Sequence, residues 1–175
     1  NFSRNGVLDY LVTGAWSKKA SEYASKVANV NIVSDSTSNN FTNVADYQKW
    51  NITEDPDYFF YCANETVHGL EIHDPIESES PVICDMSSTI ASRPIDINKY
   101  DLIIAGAQKN LGIAGLTIVI VKDKLLSHSK KDLLPMFDYS AHAEEASMLN
   151  TSPVFSWYVS GLVFDWITEQ GGVEI

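Results

Sequence analysis

Asp101-Leu102-Ile103-Ile104-Ala105-Gly106-Ala107-Gln108-Lys109-Asn110 is the stretch on which the reading of the whole chain turns. The apolar run 102–105 reads as a buried strand. It stops at Gly106 and gives way to a polar triplet containing a lysine. A second apolar run, 116–121, follows after a connection holding Gly112 and Gly115. Lys109 is therefore expected just beyond the carboxyl end of a core strand. In open α/β sheets, ligands bind at that edge. Partial enclosure lowers an ammonium pKa and frees the amine as a nucleophile for a carbonyl. By itself the stretch favours the plainer reading of a solvated loop lysine.

Composition narrows the class. The chain has 175 residues, enough for one domain with a core. Apolar residues make up 45%, so a globular fold is expected. The formal charge of −11 argues against nucleic acid and anionic membrane surfaces as partners. No run approaches the roughly 18 apolar residues of a membrane span, and no basic-then-apolar leader opens the sequence. The first residue is Asn1, as in a processed or excised piece. Cys62 and Cys84 lie in apolar strand-like runs and read as reduced core thiols of a cytoplasmic protein.

Working outward, short apolar runs at 8–12, 30–33, 58–62 and 82–84 read as further strands. Ser17 is expected to cap a helix over about 18–27, with Ala20, Tyr23, Ala24 and Val27 on one face. Residues 44–50 suggest a short helix and 135–146 a loop. Asn150-Thr151-Ser152-Pro153 reads as a cap, opening an amphipathic helix over 154–169 that ends at Gly171-Gly172. Strands alternating with helices and loops point to an α/β fold with a mostly parallel sheet flanked by helices.

Four strand ends carry residues of chemical interest. Trp16 follows the first, Thr66 the aromatic one, Asp85 the 82–84 strand, and Gln108-Lys109 the fourth. A parallel sheet brings such ends to one edge. A lysine, a carboxylate, a flat aromatic and a hydroxyl together suit a flat aromatic cofactor bearing an aldehyde, namely pyridoxal 5'-phosphate (PLP). Taken singly, Asp85 reads as a turn former, Trp16 as core packing, Thr66 as a cap, and His68 and His73 as structural residues. No Cys/His cluster has metal-ligand spacing, and neither a Gly-x-Ser-x-Gly elbow nor a Gly-x-Gly-x-x-Gly loop is present.

Longer motifs add a resemblance. Gly14-Ala15-Trp16-Ser17, the run from Tyr61-Cys62-Ala63-Asn64-Glu65-Thr66 to Val67-His68-Gly69, Cys84-Asp85-Met86-Ser87-Ser88, Ser92-Arg93-Pro94, Gly106-Ala107-Gln108-Lys109-Asn110 and Asn150-Thr151 resemble the phosphoserine aminotransferase family along nearly the whole chain. The resemblance implies a class V aminotransferase on the PLP-dependent transferase (fold type I) large domain. It implies amino-group transfer between glutamate and 3-phosphohydroxypyruvate, giving phosphoserine and 2-oxoglutarate in serine biosynthesis, and in some members pyridoxine biosynthesis.

It further implies that Lys109 forms the Schiff base and shuttles the proton, and that Asp85 pairs with the pyridine nitrogen. Trp16 would stack on the ring, Thr66 would donate to the phenolic oxygen, and Gln108 would reach toward the phosphate. Asn150 and Thr151 match residues serving the neighbouring subunit's cofactor in a homodimer. Where the family has Asn-Thr-Pro-Pro, this chain has Asn150-Thr151-Ser152-Pro153. The family is about twice this length, so residues 1–175 are expected to be a single large-domain segment, truncated at both ends and lacking the small domain. The phosphate-binding loop and the substrate-gripping arginines and histidine would then lie outside it, and the 116–121 strand would be a sheet edge. The alternatives are another PLP chemistry on the same fold, and an inactive fragment or interaction module that keeps the fold.

Overall fold

The computed structural model describes residues 1–3, 6–130 and 132–174. Strand β1 (Val7–Val12) leads through Gly14 into helix α1 (Ala15–Ala24), and β2 (Asn29–Asp35) follows. After a long connection come β3 (Phe59–Cys62) and a two-stranded hairpin, β4 (Asn64–Glu65) and β5 (Leu70–Glu71). Next are β6 (Val82–Asp85), β7 (Leu102–Gly106) and β8 (Thr117–Val121). Three helices close the chain: α2 (Asp123–Leu126), α3 (Tyr139–Glu144) and α4 (Val154–Glu169).

The main sheet has six strands in the order β2-β1-β3-β6-β7-β8. All neighbours are parallel except β7 and β8, which run antiparallel. The expected mostly parallel α/β sheet is thus present, with β8 at one edge. Alternation along the strands sorts the core onto two faces. Phe59, Tyr61, Cys84 and Ile103 fall on one face. Phe60, Cys62, Ile83 and Leu102 fall on the other. Ala20 and Ala24 of α1, Leu125 of α2 and Tyr139 of α3 cover the second face. The first is covered by side chains from the long connections, among them Val44, Trp50, Ile72 and Ile90. Both cysteines are buried and reduced, and the sheet separates them.

Several local expectations change. Ser17 lies inside α1 rather than capping it. Its Oγ accepts from the amides of Thr13 (2.9 Å) and Gly14 (3.2 Å), so it ties the preceding turn to the helix. The inward face of α1 consists of small residues, Ser17 and Ser21 with Ala20 and Ala24, while Tyr23 and Val27 are exposed. A ten-residue helix lying close on the sheet has room only for short side chains there. Residues 44–50 yield just one 3-10 turn, Tyr47–Lys49, capped by Asp46, which accepts from Gln48 N. The expected loop 135–146 contains a 3-10 turn, Pro135–Phe137, and α3, whose first turn is capped by Asp138 accepting from Ser140 N. Helix α4 forms as expected, but Pro153 occupies its N-cap without a side-chain bond. Its buried positions are Ser156 and Ser160, and large apolar residues such as Phe155, Tyr158 and Trp166 are exposed. Among the described residues, no helix is long and apolar enough to cross a membrane.

Candidate active site at the carboxyl edge of the sheet

Strands β1, β3, β6 and β7 run in parallel, so the residues that follow them gather at one edge. The hydroxyl of Thr66, in the turn between β4 and β5, is the meeting point. Trp16 Nε1 donates to Thr66 Oγ1 at 3.1 Å. Lys109 Nζ donates to the same oxygen at 3.4 Å. The ammonium lies 5.9 Å from the Trp16 ring centroid, within cation–π reach. Trp16 is 46% exposed, so the residue is partly open to solvent at this edge.

Asp85 ends β6 and pairs with Ile104 of β7, the strand that leads to Lys109. Its Oδ1 accepts from Ser87 N at 2.9 Å, and Ser87 Oγ accepts from Gly106 N at 3.0 Å. The carboxylate is therefore fixed to the end of the strand that delivers Lys109. Gln108 folds back over Gly106, where an added Cβ would lie 2.5 Å from its Oε1, so a larger residue there would displace the Gln108 amide. Asn64 Nδ2 donates to Ser88 Oγ (3.0 Å), and Asn110 Nδ2 donates to the carbonyls of Ser88 (3.2 Å) and Ile90 (2.9 Å). These bonds lace the loops after β3, β6 and β7 together. Beneath the edge, burial first, and then the charges of Asp85 and Glu65, push the Cys62 thiol up, so it stays protonated and outside the chemistry.

Trp16, Thr66 and Lys109 are thus in direct contact, with Asp85 and Gln108 on the adjoining strand ends. Asn150 and Thr151 are placed elsewhere. Both are exposed, and Asn150 Nδ2 donates to Thr151 O at 3.2 Å. Asn150 borders a separate groove of about 740 Å³ between β8, α3 and α4, lined by residues such as Val119, His142 and Trp157. Among the described residues, neither shares a hydrogen bond with the Thr66 group.

Sequence reading missed Glu65 and Ser87, and assigned His68 no partner. Glu65 is fully buried and accepts from Trp16 N (2.9 Å) and Ser17 N (2.7 Å). His68 Nδ1 accepts from Ala15 N at 3.3 Å, and its ring lies 4.3 Å from that of Phe41. A glutamate three residues past the end of the apolar strand β3 was the available signal, since an acid close to a core strand needs donors when it is buried. Among the described residues, no cluster of His, Cys, Asp and Glu could hold a metal ion.

Over residues 2–175 the sequence matches the aminotransferase class-V family. The chain belongs to that family. Phosphoserine aminotransferase from Pseudomonas putida (strain KT2440) is 46% identical over 171 residues, which are 97% of this chain and 47% of that protein. The enzyme of the same name from Acinetobacter baylyi is 44% identical, over 98% of this chain and 48% of its own length. Among solved structures, PLP-bound phosphoserine aminotransferase from Trichomonas vaginalis superposes with a TM-score of 0.94 at 37% identity, covering 99% of this chain and 53% of that one. The Bacillus circulans enzyme gives 0.93 at 35% identity, over 99% and 48%. This class-V chain spans about half the length of the curated relatives it matches.

Proposed function

We propose that this chain supplies the PLP-facing sheet edge of a phosphoserine aminotransferase. In that reading the enzyme moves an amino group between glutamate and 3-phosphohydroxypyruvate, giving phosphoserine and 2-oxoglutarate for serine biosynthesis in the cytoplasm. One observation carries the reading: Thr66 joins a lysine amine and a half-exposed indole through a single hydroxyl. The phosphoserine aminotransferase names of the 42–46% identical relatives support that substrate class.

The residues present fit the cofactor by their chemistry. There is a flat aromatic side chain on a partly exposed residue, an amine, a hydroxyl that can turn to a phenolic oxygen, and a carboxylate fixed on the adjoining strand. Bound PLP supplies an aldehyde carbon that takes up the amino group and a pyridinium ring that takes up electrons. Trp16 stacks against that ring and excludes water from one face. Asp85 holds a proton on the ring nitrogen through its negative charge. Thr66 orients the phenolic oxygen, and Gln108 offers an amide toward the phosphate. Lys109 holds the cofactor through its amine and afterwards moves a proton at the substrate Cα. We assign Asn150 and Thr151 to the neighbouring subunit's cofactor in a homodimer. Their exposure, away from the Thr66 group, supports that assignment.

Borohydride reduction after addition of PLP, followed by peptide mapping, tests the proposal. A single phosphopyridoxyl label on Lys109, abolished in Lys109→Ala, is the expected result. Absence of label, or label scattered over Lys18, Lys122 and Lys130, would overturn it and leave a class-V fold without a formed cofactor site.

A further inference from the structure

Helix α1 begins at the sheet edge and carries Trp16 in its first turn. The first amides of a helix have no partner within it. Here the β4–β5 hairpin supplies the partners from about fifty residues away: the amides of Trp16 and Ser17 donate to the two oxygens of Glu65, and that of Ala15 donates to His68 Nδ1. The Glu65 side chain is 0% exposed, and its negative charge faces the positive end of the helix dipole. Gly14 makes the approach possible. A Cβ there would lie 2.5 Å from Glu65 Cγ, Cδ and Oε2. The φ of Gly14 is 177°, ordinary extended backbone, so its glycine serves space and not backbone freedom.

The hairpin that provides Glu65 also provides Thr66, which accepts from the Trp16 indole. Two consecutive residues therefore hold Trp16 by its backbone and by its ring. We propose that Glu65 is a positioning residue for the cofactor site. Its carboxylate locks the first turn of α1 to the hairpin and fixes the angle at which the Trp16 indole meets Thr66 and Lys109. The inference rests on the cofactor reading above, in which that indole is the stacking surface. Glu65 itself touches no reacting atom. By occupying the first-turn amides it also leaves that helix end unable to take the cofactor phosphate, which must be held elsewhere.

Glu65→Gln keeps the side chain's size but replaces one acceptor with an NH2, which must then face a backbone N–H. The readout is hydrogen exchange, by NMR, of the Trp16 indole Nε1–H and the Trp16 and Ser17 amides, with the Ile83 and Cys84 amides of β6 as a control for the core. In E65Q the Trp16 indole exchange is expected to accelerate about tenfold, while the β6 amides stay unchanged. Unchanged indole exchange, or equal acceleration everywhere, would overturn the proposal.

Gly14→Ala provides a second route should E65Q fail to fold. It is expected to reproduce the indole effect in the wild-type background and to add nothing in an E65A background, where the obstructed atoms are gone. An equal G14A effect in both backgrounds would also overturn the proposal. Labelling of wild-type Lys109 is read in parallel. Loss of that label sinks the cofactor reading alone, whereas the exchange data decide the role of Glu65 without cofactor.

Discussion

Thr66 has one hydroxyl oxygen and two donors that share it. The Trp16 indole and the Lys109 ammonium converge there at 3.1 and 3.4 Å, and all three groups are solvent-accessible. Removing that oxygen leaves no buried donor stranded, so the energetic cost is small and the geometric cost is local. Thr66→Val is therefore expected to lower stability by less than about 1 kcal/mol in a denaturant melt. It is also expected to weaken borohydride labelling of Lys109 relative to the surface lysines. Undiminished selectivity would show that the shared hydroxyl does not organise the site. This is also where sequence reading reached furthest. Trp16, Thr66, Asp85 and Lys109 each lie at the end of an apolar run or within four residues of it, and the parallel order of the strands brings those ends to one edge. The pairings of Glu65 and Ser87 were not legible, because their partners, Trp16, Ser17 and Gly106, lie 49, 48 and 19 residues away. Pairings at that range follow from the fold and not from any local pattern.

Helix α4 shows how an element can be legible in extent and misread in orientation. Its length and its Gly171-Gly172 end were readable, yet its buried side belongs to Ser156 and Ser160. Those serines, four positions apart, stand over the glycines of the 112–115 connection. Cβ atoms at Gly112 and Gly115 would lie 2.8 and 2.9 Å from Ser160 Oγ and Ser156 Oγ. Ser156 Oγ also donates to Ala114 O at 2.9 Å. Close backbone packing selects small side chains, which a hydrophobicity pattern counts as the solvent face; the large apolar residues of α4 point away from this contact. Both glycines have positive φ, 145° and 109°, so alanine there meets backbone strain as well as crowding. Gly112→Ala is expected to destabilise the chain by about 1–3 kcal/mol, with exchange in α4 accelerating ahead of exchange in β6. A melt unchanged within about 0.5 kcal/mol would mean that α4 gains nothing from this contact.

At the scale of the whole molecule, the two-faced core determines the response to alkali. Burial pushes the Cys84 thiol up from its ordinary 9.0 to about 12. Burial likewise raises Cys62, Tyr10 and Tyr61 above their ordinary ranges. In each case the folded chain keeps a proton that the unfolded chain releases. Stability from these groups is therefore complete below the unfolded values, near 9 for the thiols and 10 for the tyrosines, and is lost as pH rises toward the folded ones. Each fully engaged group adds a slope of about 1.4 kcal/mol per pH unit. Thermal melts are expected to be flat from pH 7.5 to 8.5 and to fall progressively from pH 9 to 11. Both thiols should resist a disulfide reagent at pH 8 until denaturant is added. Cys84→Ala should lessen the alkaline slope by one group's share while lowering the plateau through the space it leaves. Melts that stay flat to pH 11, or thiols that react in the folded chain, would show that the sheet does not shield its core as these contacts imply.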